Sequence, residues 1–417
     1  MPTCNFWQIL LSLQAKTTIM KLYYPKIYIK SGKEDALLRK HPWVFSGAIA
    51  KIEGKPEDGD IVSVHRKDGD FLAIGHYHDG SIAVRVFSYE AIAPDADFWK
   101  QKLEKAWKLR QTLGLADNPN TNCFRIVHGE GDGLPGLIMD YYAGVVVFQA
   151  HSIGMHRCRT EIIEGLKACL GEHLKAVYDK SQLTLPPIYA KTVQDGLAYG
   201  SIDGEHTIVK ENGLSFDVNW VTGQKTGFFL DQRDNRALLG KFAHGKTVLN
   251  AFCYSGGFSV YALEAGAKLV DSVDSSAKAM ELVDRNVEIN GFSGEKHRSH
   301  SQDVLKFLQN TDQLYEVMIL DPPAYAKSLD KRHAAIQGYK RLNIEGMKKV
   351  APGGILMTFS CSQVVDRQLF YGAITAAAIE AGRNVRVLQH ISQPMDHPVS
   401  IFHPEGSYLK GLVLYVE

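Results

Sequence analysis

From about residue 221 the sequence alternates between apolar runs of strand length and helical stretches. KTVLNAF, AKLVDSVD, EVMILD and GGILMTFS each end in polar, glycine or proline residues. Strands separated by helices in this way predict βαβ units, and so a parallel, doubly wound sheet. Near the end, VRVLQHI and YLKGLVLYVE read as two strands joined without a helix, an antiparallel hairpin at one edge. Ligands bind such sheets beyond the carboxyl ends of the strands, near the point where strand order reverses. One of those ends reads MILDPPAYAKS, residues 318–328. Neither proline can donate a ladder hydrogen bond, so the strand stops at a carboxylate whose following backbone is rigid.

The chain of 417 residues is too long for one core, and two or three domains are expected. Residues 20–92 hold the short alternating segments IYIK, IVSVHRKDG, FLAIGHY and IAVRVFSY between the turns EDGD, KDGD and HDGS. That pattern predicts a small β-barrel. Residues 96–220 mix the helices FWKQKLEKAWKLRQTLG and RTEIIEGLKACL with the strand GVVVFQA. They end in a hairpin whose strands HTIVK and LSFDVNW flank ENG, an Asn-Gly pair suited to a tight turn. This is a central α+β domain, and residues 221–417 form the parallel-sheet domain. Residues 1–19 lack the basic start and cleavage site of a signal peptide and read as an extension upstream of Met20, the natural initiator.

Composition excludes more than it suggests. The residues are 45% hydrophobic and 22% charged with a net charge of +1, so any basic surface must be local. No run reaches the roughly 18 apolar residues of a membrane span, and a cytoplasmic protein without a membrane partner is expected. The six cysteines, at 4, 123, 158, 169, 253 and 361, form no CxxC pair. Neither a metal site nor a disulfide framework is expected.

TVLNAFCYSGGFSVYALEAGA (247–267) reads as a strand, a glycine turn and a helix. Gly256 and Gly257 would let the backbone approach a ligand, but the loop is not the GxGxxG of a pyrophosphate clamp. The next strand ends in Asp274, suited to the two hydroxyls of a ribose. Asp303 stands where a third strand would end and could accept from an adenine amine. A ribose and an adenine without a pyrophosphate point to S-adenosylmethionine rather than a nicotinamide dinucleotide.

Several longer stretches carry a resemblance. HPWVFSGAI, IAVRVFS, FRIVHGEGDGLPGLIMDYY, GQKTGFFLDQRDNR, NAFCYSGGFS, ILDPPAYAKS and FSCS resemble the class I SAM-dependent RNA methyltransferases with an N-terminal PUA domain. This is the family of the large-subunit rRNA cytosine-C5 methyltransferase, and the likeness runs from Lys21 to near the end. It implies a PUA-like RNA-binding barrel and a Rossmann-like methyltransferase domain with a mostly parallel seven-stranded sheet. It also implies that Gln224, Lys225, Thr226 and Phe228 enclose the cofactor beside Asn250, Phe252, Gly256, Asp274, Asp303 and Asp321, with Tyr254 and Ser275 adjoining. Cys253 departs from the serine more usual in the family.

Cytosine C5 becomes nucleophilic only after something adds at C6, and a thiolate suits that step. Cys361, in FSCS, falls at the end of the strand expected beside ILDPP. Cys361 is therefore expected to attack C6 while Asp321 stabilises the ring through N3. The product would be 5-methylcytosine in 23S rRNA. Pro322 and Pro323 would fix the carboxylate against a flipped base, and Tyr325 would stack on it. Lys327, Lys331 and Arg332 follow, suited to RNA phosphates. Cys253, the rival thiol, is expected to pack against the cofactor.

Two other readings stay open. DPPAY could serve an exocyclic-amine RNA methyltransferase, or the chain could be a non-catalytic SAM-sensing RNA-binding protein. The target nucleotide, the use of naked rRNA or an assembly intermediate, and a homodimer are not decided by the sequence.

Overall fold

The computed structural model describes residues 24–292 and 294–417, so the expected extension and the Met20 start lie outside the described residues. Two compact units are present. The first contains a six-stranded sheet of β1 (Lys26–Ile29), β2 (Trp43–Phe45), β3 (Ile49–Glu53), β4 (Ile61–His65), β5 (Phe71–Tyr77) and β6 (Ile82–Ser88), in the order β2-β6-β5-β4-β1-β3. Ile27, Ile29, Val62, Val64 and Val84 fill its core, the alternate positions of strands whose other face is wetter. β2 and β3 were not legible as strands. β2 has three residues, and β3 (IAKIE) is almost wholly exposed, so neither shows an apolar alternation.

A five-stranded sheet, in this unit but for the first two residues of β7, consists of β7 (Cys123–His128), β8 (Leu137–Tyr142), β9 (Val145–Ala150), β10 (Ala176–Asp179) and β11 (Gly196–Gly200), ordered β11-β10-β9-β8-β7. Every residue of β9 is buried, as a central strand covered on both faces requires.

The second unit contains the expected hairpin, β12 (His206–Glu211) and β13 (Leu214–Asn219). Its turn residues Asn212 and Gly213 have φ of 51° and 88°, the left-handed pair an Asn-Gly turn supplies. The helix Ala277–Ile289 and the residue after it hold β13: Asn286 Oδ1 accepts from Asp217 N and Asn290 Oδ1 from Ser215 N, both at 2.8 Å.

The rest of this unit is a seven-stranded sheet: β14 (Thr247–Ala251), β15 (Leu269–Asp274), β16 (His297–Ser301), β17 (Tyr315–Leu320), β18 (Val350–Ser360), β19 (Val385–Ile391) and β20 (Lys410–Val416). The order is β16-β15-β14-β17-β18-β20-β19, with only β20 antiparallel to its neighbours. The pair from the end of the chain forms the expected antiparallel edge, with β19 outermost. β20 is inserted between β18 and β19, with consequences for the site. Strand order reverses between β14 and β17, and both carboxyl ends open there.

Candidate active site

The turn after β14 is bound tightly to the end of β15. Phe252 N and Cys253 N both donate to Val273 O, at 2.9 and 3.2 Å. Phe252 and Tyr254 are left-handed at φ 60° and 45°, a strain of roughly 1–3 kcal/mol each that the surrounding bonds must offset. Tyr254 N donates to Asp274 Oδ2 at 3.2 Å, and Ser276 N to Asp274 Oδ1 at 3.0 Å. Tyr254 Oη accepts from Gln224 N at 2.9 Å and donates to Gly227 O at 3.2 Å, joining this turn to the 223–229 loop.

The glycines have a different visible cause from the one expected. Gly256 has φ 74°, and a Cβ there would lie 2.9 Å from Val283 Cγ1. A Cβ on Gly257 would lie 2.8 Å from Arg236 Cδ. Packing of the turn against its own fold demands them. Asn250 Nδ2 donates to Ser259 Oγ at 2.8 Å, while its buried Oδ1 has no partner among the described residues. Cys253 is buried, and burial followed by the Asp274 carboxylate pushes its thiol well up.

Asp321 and Cys361 follow the neighbouring parallel strands β17 and β18, whose register pairs Leu320 with Thr358. Burial pushes the Asp321 carboxyl up to about 7, with the nearby Asp231 carboxylate adding to the rise. A hydrogen bond from Gln232 Nε2 to Asp321 Oδ2, 2.9 Å, opposes it. Burial also raises the Cys361 thiol, and Asp321 is the charge that raises it most. The two groups lie at the ends of adjacent strands, near enough for one to act on the other electrostatically.

Buried ion pairs hold the segment carrying Gln232. Arg236 is bidentate to Glu211 at 2.8 and 2.7 Å, and Arg233 reaches Asp396 at 2.8 Å. Asn235 Nδ2 donates to Gln232 Oε1 at 2.6 Å, fixing the amide so that its NH2 faces Asp321. Asp231 accepts from Tyr408 Oη at 2.6 Å, with Lys225 Nζ 4.0 Å away. Ser362 ties the other side together. Its Oγ accepts from Ala326 N at 3.4 Å and meets Tyr339 Oη at 2.9 Å, and its carbonyl accepts from Lys410 Nζ at 2.7 Å.

Other expected residues fall in different settings. Phe228 is buried against Phe216, ring centroids 5.0 Å apart, with the Arg236 guanidinium over its face; Thr226 is also buried, and Gln224 is exposed. Asp303 is exposed and caps the helix Val304–Asn310 through Lys306 N, which occupies one carboxylate oxygen; Ser275 is exposed. Pro322 is buried and Pro323 exposed. The Tyr325 ring lies on Tyr339 at 4.7 Å, and a Cβ on Gly338 would meet it at 2.9 Å, so this face is already packed rather than open for a base. Lys327, Lys331 and Arg332 are exposed. Sequence reasoning missed Asp231, Gln232, Tyr408 and Lys410. Asp231 and Gln232 lie inside the quoted LDQRDNR; Lys410 gave one signal, a charge opening an otherwise apolar strand.

Residues 27–89 match the family described as PUA-like domain, and residues 191–399 the family described as S-adenosylmethionine-dependent methyltransferase. A ribosomal RNA large subunit methyltransferase I of Aeromonas hydrophila is 39% identical over 394 residues, covering 93% of this chain and 98% of that protein. One of Shewanella denitrificans is 38% identical over 397 residues, 94% of this chain and 99% of that protein. Among solved structures, a protein of Streptococcus mutans described as a SAM-dependent methyltransferase superposes with a TM-score of 0.81 at 23% identity, covering 94% of this chain and 99% of that one. A structure described as a methyltransferase complexed with SAH gives 0.81 at 22% identity, with the same coverage.

Fold and site thus define a class I methyltransferase that depends on S-adenosylmethionine and carries a PUA-like domain. The chain belongs to the family of ribosomal RNA large subunit methyltransferase I.

Proposed function

We propose that this enzyme methylates C5 of a cytosine in large-subunit ribosomal RNA through a covalent bond between Cys361 and C6. The observation that carries the reading is the juxtaposition of Cys361 and Asp321 on adjacent strand ends, close enough for the carboxylate to raise the thiol. The name borne by relatives that match over nearly their whole length supports the RNA substrate.

The site fits the cofactor. The left-handed turn at 252–256, the Asp274 carboxylate at the end of β15 and the unsatisfied Asn250 Oδ1 form a polar cradle beside the strand-order switch. Asn250, Phe252, Tyr254, Gly256 and Asp274 would hold S-adenosylmethionine there, with Gln224, Lys225, Thr226, Phe228, Ser275, Asp303 and Asp321 completing the set. When bound, it supplies the electrophilic methyl group that C5 takes.

The chain's own groups prepare the base. The Cys361 thiolate bonds to C6, breaking the C5–C6 double bond. Asp321, protonated below about 7, donates its proton to N3, so electron density gathers at C5 rather than on the ring nitrogen. After methylation the C5 proton leaves to solvent, the C5–C6 double bond re-forms as the sulfur is expelled as thiolate, and N3 returns its proton to the Asp321 carboxylate. Pro322 and Pro323 hold the Asp321 carboxyl in place, and Lys327, Lys331 and Arg332 offer charge to phosphates. The exocyclic-amine reading draws on an acid-Pro-Pro-aromatic tetrad, which Ala324 interrupts here by separating Pro323 from Tyr325, and it gives Cys361 no task.

A trap with 5-fluorocytosine tests the reading, since fluorine at C5 cannot leave as a proton. Wild-type enzyme with cofactor and substituted ribosomal RNA should form a denaturation-resistant adduct that Cys361→Ala abolishes. An adduct that survives the substitution, or methyl label found on an exocyclic amine, overturns it.

A further inference from the structure

Lys410 opens β20 and pairs with Ser360 across the β18–β20 ladder, one residue from Cys361. It is 4% exposed. Its Nζ donates to Ser362 O at 2.7 Å, and among the described residues it makes no ion pair with a carboxylate. A buried ammonium without a paired carboxylate is costly, and methionine or leucine would fill an apolar strand start without that cost. One neutral carbonyl leaves the charge unbalanced.

Cys361 stands between the residue that Lys410 pairs with across the ladder, Ser360, and the one it donates to, Ser362. Cys361 is faced by Asp321 from the end of β17, by Asp231 and Lys225 from the 225–231 segment, and by Tyr339 from the helix Arg332–Lys349. Lys410 is faced by Cys361 first, then by Arg367 and Asp366 at the start of the helix Arg367–Ala381. The Asp321 and Asp231 carboxylates disfavour ionisation of the thiol and Lys225 favours it, but Lys225 is exposed and lies 4.0 Å from Asp231, so a lasting thiolate there requires a buried cation as well.

We propose that Lys410 is the positioning residue whose ammonium holds Cys361 as a thiolate, with the sulfur's proton released to solvent. The catalytic use of that thiolate rests on the cytosine-C5 reading; the coupling between the two side chains does not. Burial brings the Lys410 ammonium down to about 8, so the charge that holds the sulfur is itself lost as pH rises through that value. Reactivity of Cys361 should therefore depend on both groups.

The test follows iodoacetamide labelling of the Cys361 peptide against pH by mass spectrometry, on full-length protein without RNA. In Lys410→Met the labelling midpoint should rise by about one pH unit or more, and Lys410→Arg should restore most of the shift. A folded Lys410→Met with an unchanged midpoint overturns the proposal. If Lys410→Met does not fold, carbon-13 lysine NMR of Cys361→Ser reports the same coupling from the other side. There the Lys410 midpoint should fall, and an unaltered midpoint is equally decisive against it. A wild-type enzyme that forms no fluorocytosine adduct but shows the Lys410-dependent midpoint loses the cytosine reading alone. An adduct without that dependence removes Lys410 alone.

Discussion

Gln232 Nε2 donates to Asp321 Oδ2 at 2.9 Å, and Asn235 Nδ2 holds the far end of the same amide at 2.6 Å. This bond is the first of the effects that keep the Asp321 carboxyl from rising above about 7. In Gln232→Leu the carboxyl should hold its proton to higher pH, by about one unit. Carbon-13 NMR of labelled aspartate measures the midpoint, which in the variant should exceed the wild-type value.

Asp321 also links stability to pH. Its folded value lies above the roughly 3.9 of an unfolded aspartate, so the folded state binds an extra proton between the two. Stability is therefore full below about pH 4 and is lost progressively as pH rises to about 7. Asp321→Asn removes the penalty: Tm should rise by about 2–4 °C at pH 8 and by little at pH 4. Turnover should fall by about 100-fold or more while cofactor affinity, read by calorimetry, stays near wild type.

Gly256 is required by conformation and by space together, at φ 74° with Val283 2.9 Å from where a Cβ would be. Gly256→Ala should cost about 1–3 kcal/mol, and denaturant unfolding measures it. The displaced turn carries Tyr254, so the bond to Asp274 should weaken and cofactor affinity fall with stability.

Lys327, Lys331 and Arg332 are exposed after the DPPAY turn, whereas nearby Lys340 is tied to Glu380 at 2.6 Å. Replacing the first three by alanine should weaken RNA binding across sequences and reduce the slope of log affinity against log salt by about 2. Lys340→Ala should leave that slope nearly unchanged. Equal slopes for the triple variant and wild type would remove these residues from the phosphate path.

Local chemistry made much of this protein legible in advance. The strand–helix rhythm after residue 221, the glycine turn and the acid before two prolines are each dictated by neighbours a few residues away. Such signals survive in the linear chain because hydrogen bonding and φ restrictions act locally. The Asn-Gly turn appeared where expected for the same reason.

Tertiary structure decided the rest. Nothing local marks Gln232 as the partner of Asp321, since the arginine pairs that orient its segment reach Glu211 and Asp396. Tyr325 looked free in the sequence and is packed on Tyr339, because helix Arg332–Lys349 turns back over the DPPAY loop. The insertion of β20 between β18 and β19 brings Lys410 from near the chain's end to the residue beside Cys361. Contacts between distant residues follow strand order, and strand order is set by which apolar faces can be buried together, a property of the whole sheet that no short stretch contains.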